Sequence, residues 1–242
     1  MPKRVSIATE NFIKAIYKSG QGEVWDTKPG SIARELGVTS AAATDMARKL
    51  ALKKLIDYEK YREMKLTPAG EKMALSIIRK HRLWETFLHR VFGMSMHEIH
   101  REAELLEHLT SDFLAEKIDQ FLGQPAFDPH GDPIPDRNGM IAPEDESMLI
   151  SVAEPGDRYE ISRLASSDPE FFDFCHSSNL KVGSLIGIKK QYSGNRMTEI
   201  EINGITLLLN AEIAATIYVK EPVGSAGNRA AREDKKPKGS KS

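Results

Sequence analysis

The chain has 242 residues, of which 40% are hydrophobic and 29% charged, and its formal net charge is −1. That is an ordinary globular composition, long enough for two or three small domains. Its single cysteine, Cys175, excludes an intramolecular disulfide and hence a stapled secreted scaffold. No apolar run nears the ~20 residues of a membrane span. Met1–Val5 lacks the apolar stretch of a signal peptide, so the expected location is cytoplasmic. Charge is unevenly spread: residues 1–80 carry 16 Lys/Arg against 9 Asp/Glu, and residues 81–145 carry 5 against 13. A basic first third suits a polyanion, while an acidic second third suits cations or a solvated helical surface.

In chain order, Phe12, Ile13, Ile16 and Tyr17 recur at the 3–4 spacing of an amphipathic helix over 8–19. A connector through Trp25 leads to a short helix from Gly30 to Leu36, closed by Gly37. Thr39-Ser40 then caps a second helix running to about Lys54. Residues 56–60 and 63–66 alternate as two strands around a turn, and Thr67-Pro68 opens a long helix to Phe92. Gly93 breaks it. Two further helices are expected near 95–108 and 110–122, followed by a Pro/Gly/Asp-rich linker over 123–146. Short strands with Gly turns between Ser151 and Val219 suggest a small β-barrel, and the Gly/Ser/Lys-rich tail from Pro222 reads as disordered.

Helix, short helix, helix, hairpin is the order of a winged helix-turn-helix. Ile32, Ala33 and Leu36 are expected to face inward, with Gly37 making the turn and Val38 filling the corner. Thr39, Ser40, Ala42, Thr44 and Asp45 present short side chains that reach base edges without filling the groove. Arg48, Lys49, Lys53 and Lys54, with Lys60, Tyr61, Arg62 and Lys65 on the wing, are placed for phosphate. The bland alternative is a three-helix core with ordinary surface lysines.

The second signal is a run of imidazoles and carboxylates. His81 and Glu85 stand at i and i+4; His100, Glu104, Glu107 and His108 stand at i, i+4, i+7 and i+8, so each set shares a helix face. Crowded carboxylates call for compensation by a cation or solvent. Nitrogen and oxygen donors without thiolate suit Mn²⁺, Fe²⁺, Co²⁺ or Zn²⁺, and oxygen-rich sets favour Mn²⁺ or Fe²⁺. Asp128, His130 and Asp168 are further candidates; Glu98, Glu102 and Glu116 are read as solvated. Leu105, Leu106 and Leu109 are expected among the packing faces.

These residues resemble a known family. Arg79-Lys80-His81-Arg82-Leu83 with Glu85, Ile99-His100 with Glu102-Ala103-Glu104, Glu107-His108 before Ser111-Asp112, Pro129 to Pro135, and Thr9 to Ile13 with Ile16-Tyr17 are similar to the diphtheria toxin repressor family of iron- and manganese-dependent regulators. The resemblance covers roughly residues 5–220. It implies a mainly α chain with a β C-terminal part: a winged-helix DNA-binding domain over 1–70, a helical metal-binding and dimerisation domain over 71–145, and an SH3-like domain over 146–221, before the 222–242 tail. It implies a regulatory site at Glu104, Glu107, His108 and position 11, and an ancillary site at His81, Glu85, His100, His130 and Asp168, with His81 open to either. Glu104 stands where iron-type members have Cys, which resembles the manganese branch. Asp128 stands where some manganese-type members have Cys. Position 11, usually Asp or Met, is Asn11 here.

The resemblance further implies a homodimer, double-stranded operator DNA, and Mn²⁺ or Fe²⁺ at up to two sites per subunit. A cation joining position 11 to Glu104, Glu107 and His108 would fix the angle between domains, and so the ~34 Å separation that half-sites on one DNA face demand. The rival readings are a winged-helix regulator of a small organic ligand, an architectural DNA binder, and a metalloenzyme, for which no H-E-x-x-H or recognisable nucleophile exists.

Overall fold

A computed structural model describes residues 5–21, 26–60, 62–141, 146–166, 168–192, 194 and 196–222. Trp25, Tyr61 and the tail beyond Pro222 lie outside these described residues. The chain divides into two compact units: residues 1–128 with 133–142, and residues 129–132 with 143–242.

The first unit is helical. Its elements are α1 (Ile7–Ser19), α2 (Pro29–Glu35), α3 (Ser40–Leu52), β1 (Ile56–Asp57), β2 (Lys65–Leu66), α4 (Pro68–Phe92), α5 (Met96–Leu106) and α6 (Asp112–Phe121). Hydroxyl caps start most of these helices, accepting from otherwise orphaned amides: Ser6 from Thr9, Thr39 from Ala42, Thr67 from Gly70 and Ser111 from Leu114. Ser95 and Glu98 form a full capping box at α5, so Glu98 has a structural task beyond solvation. Gly37, at φ 65°, makes the turn between α2 and α3, a backbone state that a β-carbon disfavours. Val38 remains 46% exposed instead of filling the corner.

α1, α2, α3 and the β1–β2 wing enclose a core of Phe12, Ile13, Ile16, Ile32, Leu50, Ile56 and Met64. The 25-residue α4 joins this core at Ala74 and a second core, with Ala115, Ile118 and Ile134, at Leu83. One helix thus belongs both to the DNA-reading fold and to the helical pair α5–α6. Its start is stitched to the wing base: the Thr67 amide donates to Leu55 and its hydroxyl to Lys54. A β-carbon at Gly70 would overlap the Leu55 carbonyl oxygen. Gly70→Ala is therefore expected to cost about 2 kcal/mol in urea denaturation, a typical overpacking penalty; unchanged stability would show that the backbones part without cost.

Part of the expected linker is held tightly. Ile134 is buried, the Arg79 guanidinium donates to the Pro135 carbonyl at 2.9 Å, and Arg82 donates to the Pro133 carbonyl. Arg79 also meets Asp119 at 3.0 Å and Glu116 at 3.3 Å, which gives Glu116 a partner where solvation was expected.

The second unit contains a six-stranded antiparallel sheet in the order β3-β8-β4-β5-β6-β7, built from β3 (Met148–Leu149), β4 (Arg158–Leu164), β5 (Leu185–Tyr192), β6 (Met197–Ile202), β7 (Ile205–Leu209) and β8 (Ile217–Lys220). A helix α7 (Pro169–Ser177) precedes β5 and a short α8 (Ala211–Ala214) precedes β8. Alternate residues Tyr159, Ile161, Ile186, Ile188, Ile200 and Ile202 point into its core. Cys175 is buried on α7, and burial pushes its thiol up to about 12.

Candidate metal centre

α1, α4, α5 and the turn after α5 bring six of the expected ligands into one network. α4 supplies His81 and Glu85, one turn apart. His81 is buried, with Nε2 3.0 Å from Glu85 Oε1 and Nδ1 2.7 Å from Glu107 Oε2. α5 supplies His100, whose Nδ1 lies 3.1 Å from Glu85 Oε1, and Glu104 one turn later. Glu107 is the C-cap of α5, its amide still bonded to Ala103, and its side chain is fully buried. The helix expected to reach residue 108 ends at Leu106, so His108 projects from the following turn. Its Nδ1 lies 2.6 Å from Glu10 Oε2 on α1, a contact that joins the first helix to the end of α5.

The network contains two groups absent from the sequence-based expectation. Lys14, buried on α1, places its ammonium 2.7 Å from Glu104 Oε1 and 2.6 Å from Glu107 Oε1. Its side chain is 8% exposed. The sequence carried no signal for it: Lys14 falls opposite the stripe of Phe12, Ile13 and Ile16, where a solvated lysine of an amphipathic helix belongs, and only packing buries it. Glu10, one turn before Lys14, was also missed. Asn11, a turn away on the same helix, keeps its Oδ1 buried, with no hydrogen-bond partner among the described residues.

The electrostatics follow from this packing. Burial alone would lower the pKa of His81, but the Glu85 and Glu107 carboxylates outweigh it and raise it to about 9. Burial works against the Glu104 carboxylate, yet the Lys14 ammonium beside it holds the group below the usual range.

Two sets of three ligand atoms, each set within 4.8 Å, fall in this unit: His81, His100 and Glu104, and Glu104, Glu107 and His108. The first fits a divalent ion by its donor chemistry, two imidazoles and a carboxylate with Glu85 bonded to both rings. The second has the same spacing, but the Lys14 ammonium already stands against both carboxylates. The other expected ligands belong to neither set, although Asp128 places an oxygen within 4.8 Å of one from Glu85. Asp128 is buried, 3.8 Å from the Arg82 guanidinium. In the second unit, His130 is buried with its ring 5.1 Å from that of Phe172, and the exposed Asp168 caps α7 by accepting from the Glu170 amide.

The expected DNA-reading face is open. Thr39, Ser40, Ala42, Asp45, Arg48 and Lys49 are exposed along α3, and Lys60 and Arg62 are exposed on the wing. Thr44 is half-buried and donates to the Ser40 carbonyl. Asp45 and Lys49 pair at 2.7 Å, and among the described residues no carboxylate pairs with Arg48 on the same turn. Along α4 to α6, Phe92, Leu105, Leu109, Phe113 and Phe121 are 64–74% exposed, so the expected packing residues Leu105 and Leu109 face outward.

Comparison with known proteins matches three family models in succession. They are the iron-dependent repressor N-terminal DNA-binding domain over residues 5–64, the iron-dependent repressor metal-binding and dimerisation domain over 67–136, and the FeoA domain over 148–221. A solved manganese-dependent transcriptional repressor in complex with manganese is 31% identical, with a TM-score of 0.82, and the match covers 88% of this chain and all of that one. The chain belongs to the diphtheria toxin repressor family. The diphtheria toxin repressor of Corynebacterium efficiens is 24% identical over 231 residues, covering 89% of this chain and 96% of its own. The manganese regulator SloR is 30% identical with a TM-score of 0.73, covering 88% and 98%. Family members are transcriptional repressors, which removes the metalloenzyme alternative. The fold class read from sequence, winged helix, helical domain and SH3-like β domain, is the observed one. Among the described residues, no helix is long and apolar enough to cross a membrane.

Proposed function

We propose that this member of the diphtheria toxin repressor family acts in the cytoplasm as a homodimer on double-stranded operator DNA, with Mn²⁺, or next Fe²⁺, as its effector. The observation that carries the reading is the buried network joining α1 of the DNA-reading fold to α4 and the end of α5. His81, Glu85, His100 and Glu104 are the residues that would hold a cation. Bound there, the ion supplies positive charge that draws the α4 and α5 carboxylates together. α4 passes that constraint to the wing through Thr67 and Gly70. The exposed apolar face of α5 and α6 supports a second copy as its cover, because Phe113 and Phe121 stay 74% and 69% exposed. In a twofold dimer the two α3 helices would enter successive major grooves.

The direct test is an anaerobic titration of operator DNA with the full chain, comparing Mn²⁺, Fe²⁺ and Zn²⁺ by fluorescence anisotropy. Affinity should rise at least tenfold with Mn²⁺, a coupling of roughly 1.4 kcal/mol or more. Equal affinity in metal and in chelator would end the metal-responsive reading.

A further inference from the structure

We infer that the Lys14 ammonium takes the place of a cation between Glu104 and Glu107, so that the α1–α4–α5 network binds one divalent ion fewer than its two ligand clusters would otherwise take. The inference rests on the metal-responsive reading only for the ion that remains, at His81, Glu85 and His100.

Three observations converge on Lys14. Its nitrogen lies 2.7 and 2.6 Å from the two carboxylates whose oxygens, with His108, form the second ligand cluster. A divalent ion bound to the same oxygens would sit against a fixed positive charge, so ion and ammonium exclude each other. The ammonium has no easy exit, because its side chain is only 8% exposed. On the adjoining turn, Asn11 presents a buried, unpartnered amide oxygen, which adds no negative charge to offset a second ion. A chain-borne cation therefore ties α1 to α5 permanently, while the α4–α5 half keeps its donors for a soluble one. The joint between the DNA-reading fold and the helical pair is thus half fixed and half responsive.

Equilibrium dialysis of the full chain against saturating Mn²⁺, with elemental analysis, counts bound ions per subunit. Wild type should bind one and Lys14→Glu two, with far-UV circular dichroism showing that the variant is folded. Lys14→Ala, which opens the same space without new charge, should also gain an ion, with weaker affinity; it carries the test if Lys14→Glu does not fold. In Lys14→Glu the two ions would share Glu104, so electron paramagnetic resonance should show spin-coupled manganese that wild type lacks. Two ions in wild type, or no gain in a folded variant, would overturn the assignment. No ion in wild type with one gained in the variant would uphold the role of Lys14 and remove the metal-responsive reading instead.

Discussion

Lys14→Met is expected to lower the free energy of unfolding in chelator by about 4 kcal/mol, the cost of breaking a buried ion pair from one side. The fully buried Glu107 loses its ammonium partner, while the partly exposed Glu104 recovers some hydration. Urea denaturation followed by circular dichroism measures the loss. Millimolar Mn²⁺ should restore more stability to the variant than it adds to wild type, since the vacated position then accepts an ion. A variant within ~0.5 kcal/mol of wild type would mean that the lysine is incidental to the network.

Stability in chelator should also fall as pH rises from 6.5 to above 9. His81 has a raised folded-state pKa, about 9 against an ordinary 6.5, so between those values the folded chain holds a proton that the unfolded chain has released. The stabilisation is complete below 6.5 and gone once pH passes 9, a difference of roughly 3 kcal/mol by linkage. The check is denaturation at pH 6.5 and 9.5 for wild type and His81→Gln. If the two proteins lose stability in parallel, His81 is not the source.

The helical part of the fold was readable in the sequence because its signals are local. Apolar residues at 3–4 spacing, with Ser6, Thr39, Thr67 and Ser111 ahead of them, define most helix starts without knowledge of the rest of the chain. β3, β8 and α7 were not readable, since two- and four-residue strands acquire their identity from a partner far away in sequence. The ligand run His81, Glu85, His100, Glu104, Glu107 and His108 was legible as spacing, and the fold does bring it together. What spacing cannot carry is depth. Lys14 reads as one more basic residue on an amphipathic helix until α5 is packed over it, and only then does its charge become part of the site. Leu105 and Leu109 show the converse: apolar periodicity marks a face to be covered and does not say whether the cover is the same chain.

Burial of the only thiol has a practical corollary. Cys175, held in its protonated form by the α7 core, offers peroxide almost no thiolate to attack. Disulfide cross-linking through this thiol is therefore disfavoured, and the exposed methionines, such as Met140, are the more open sulfur targets. Manganese measurements made without added thiol reductant would proceed with Cys175 in its reduced form.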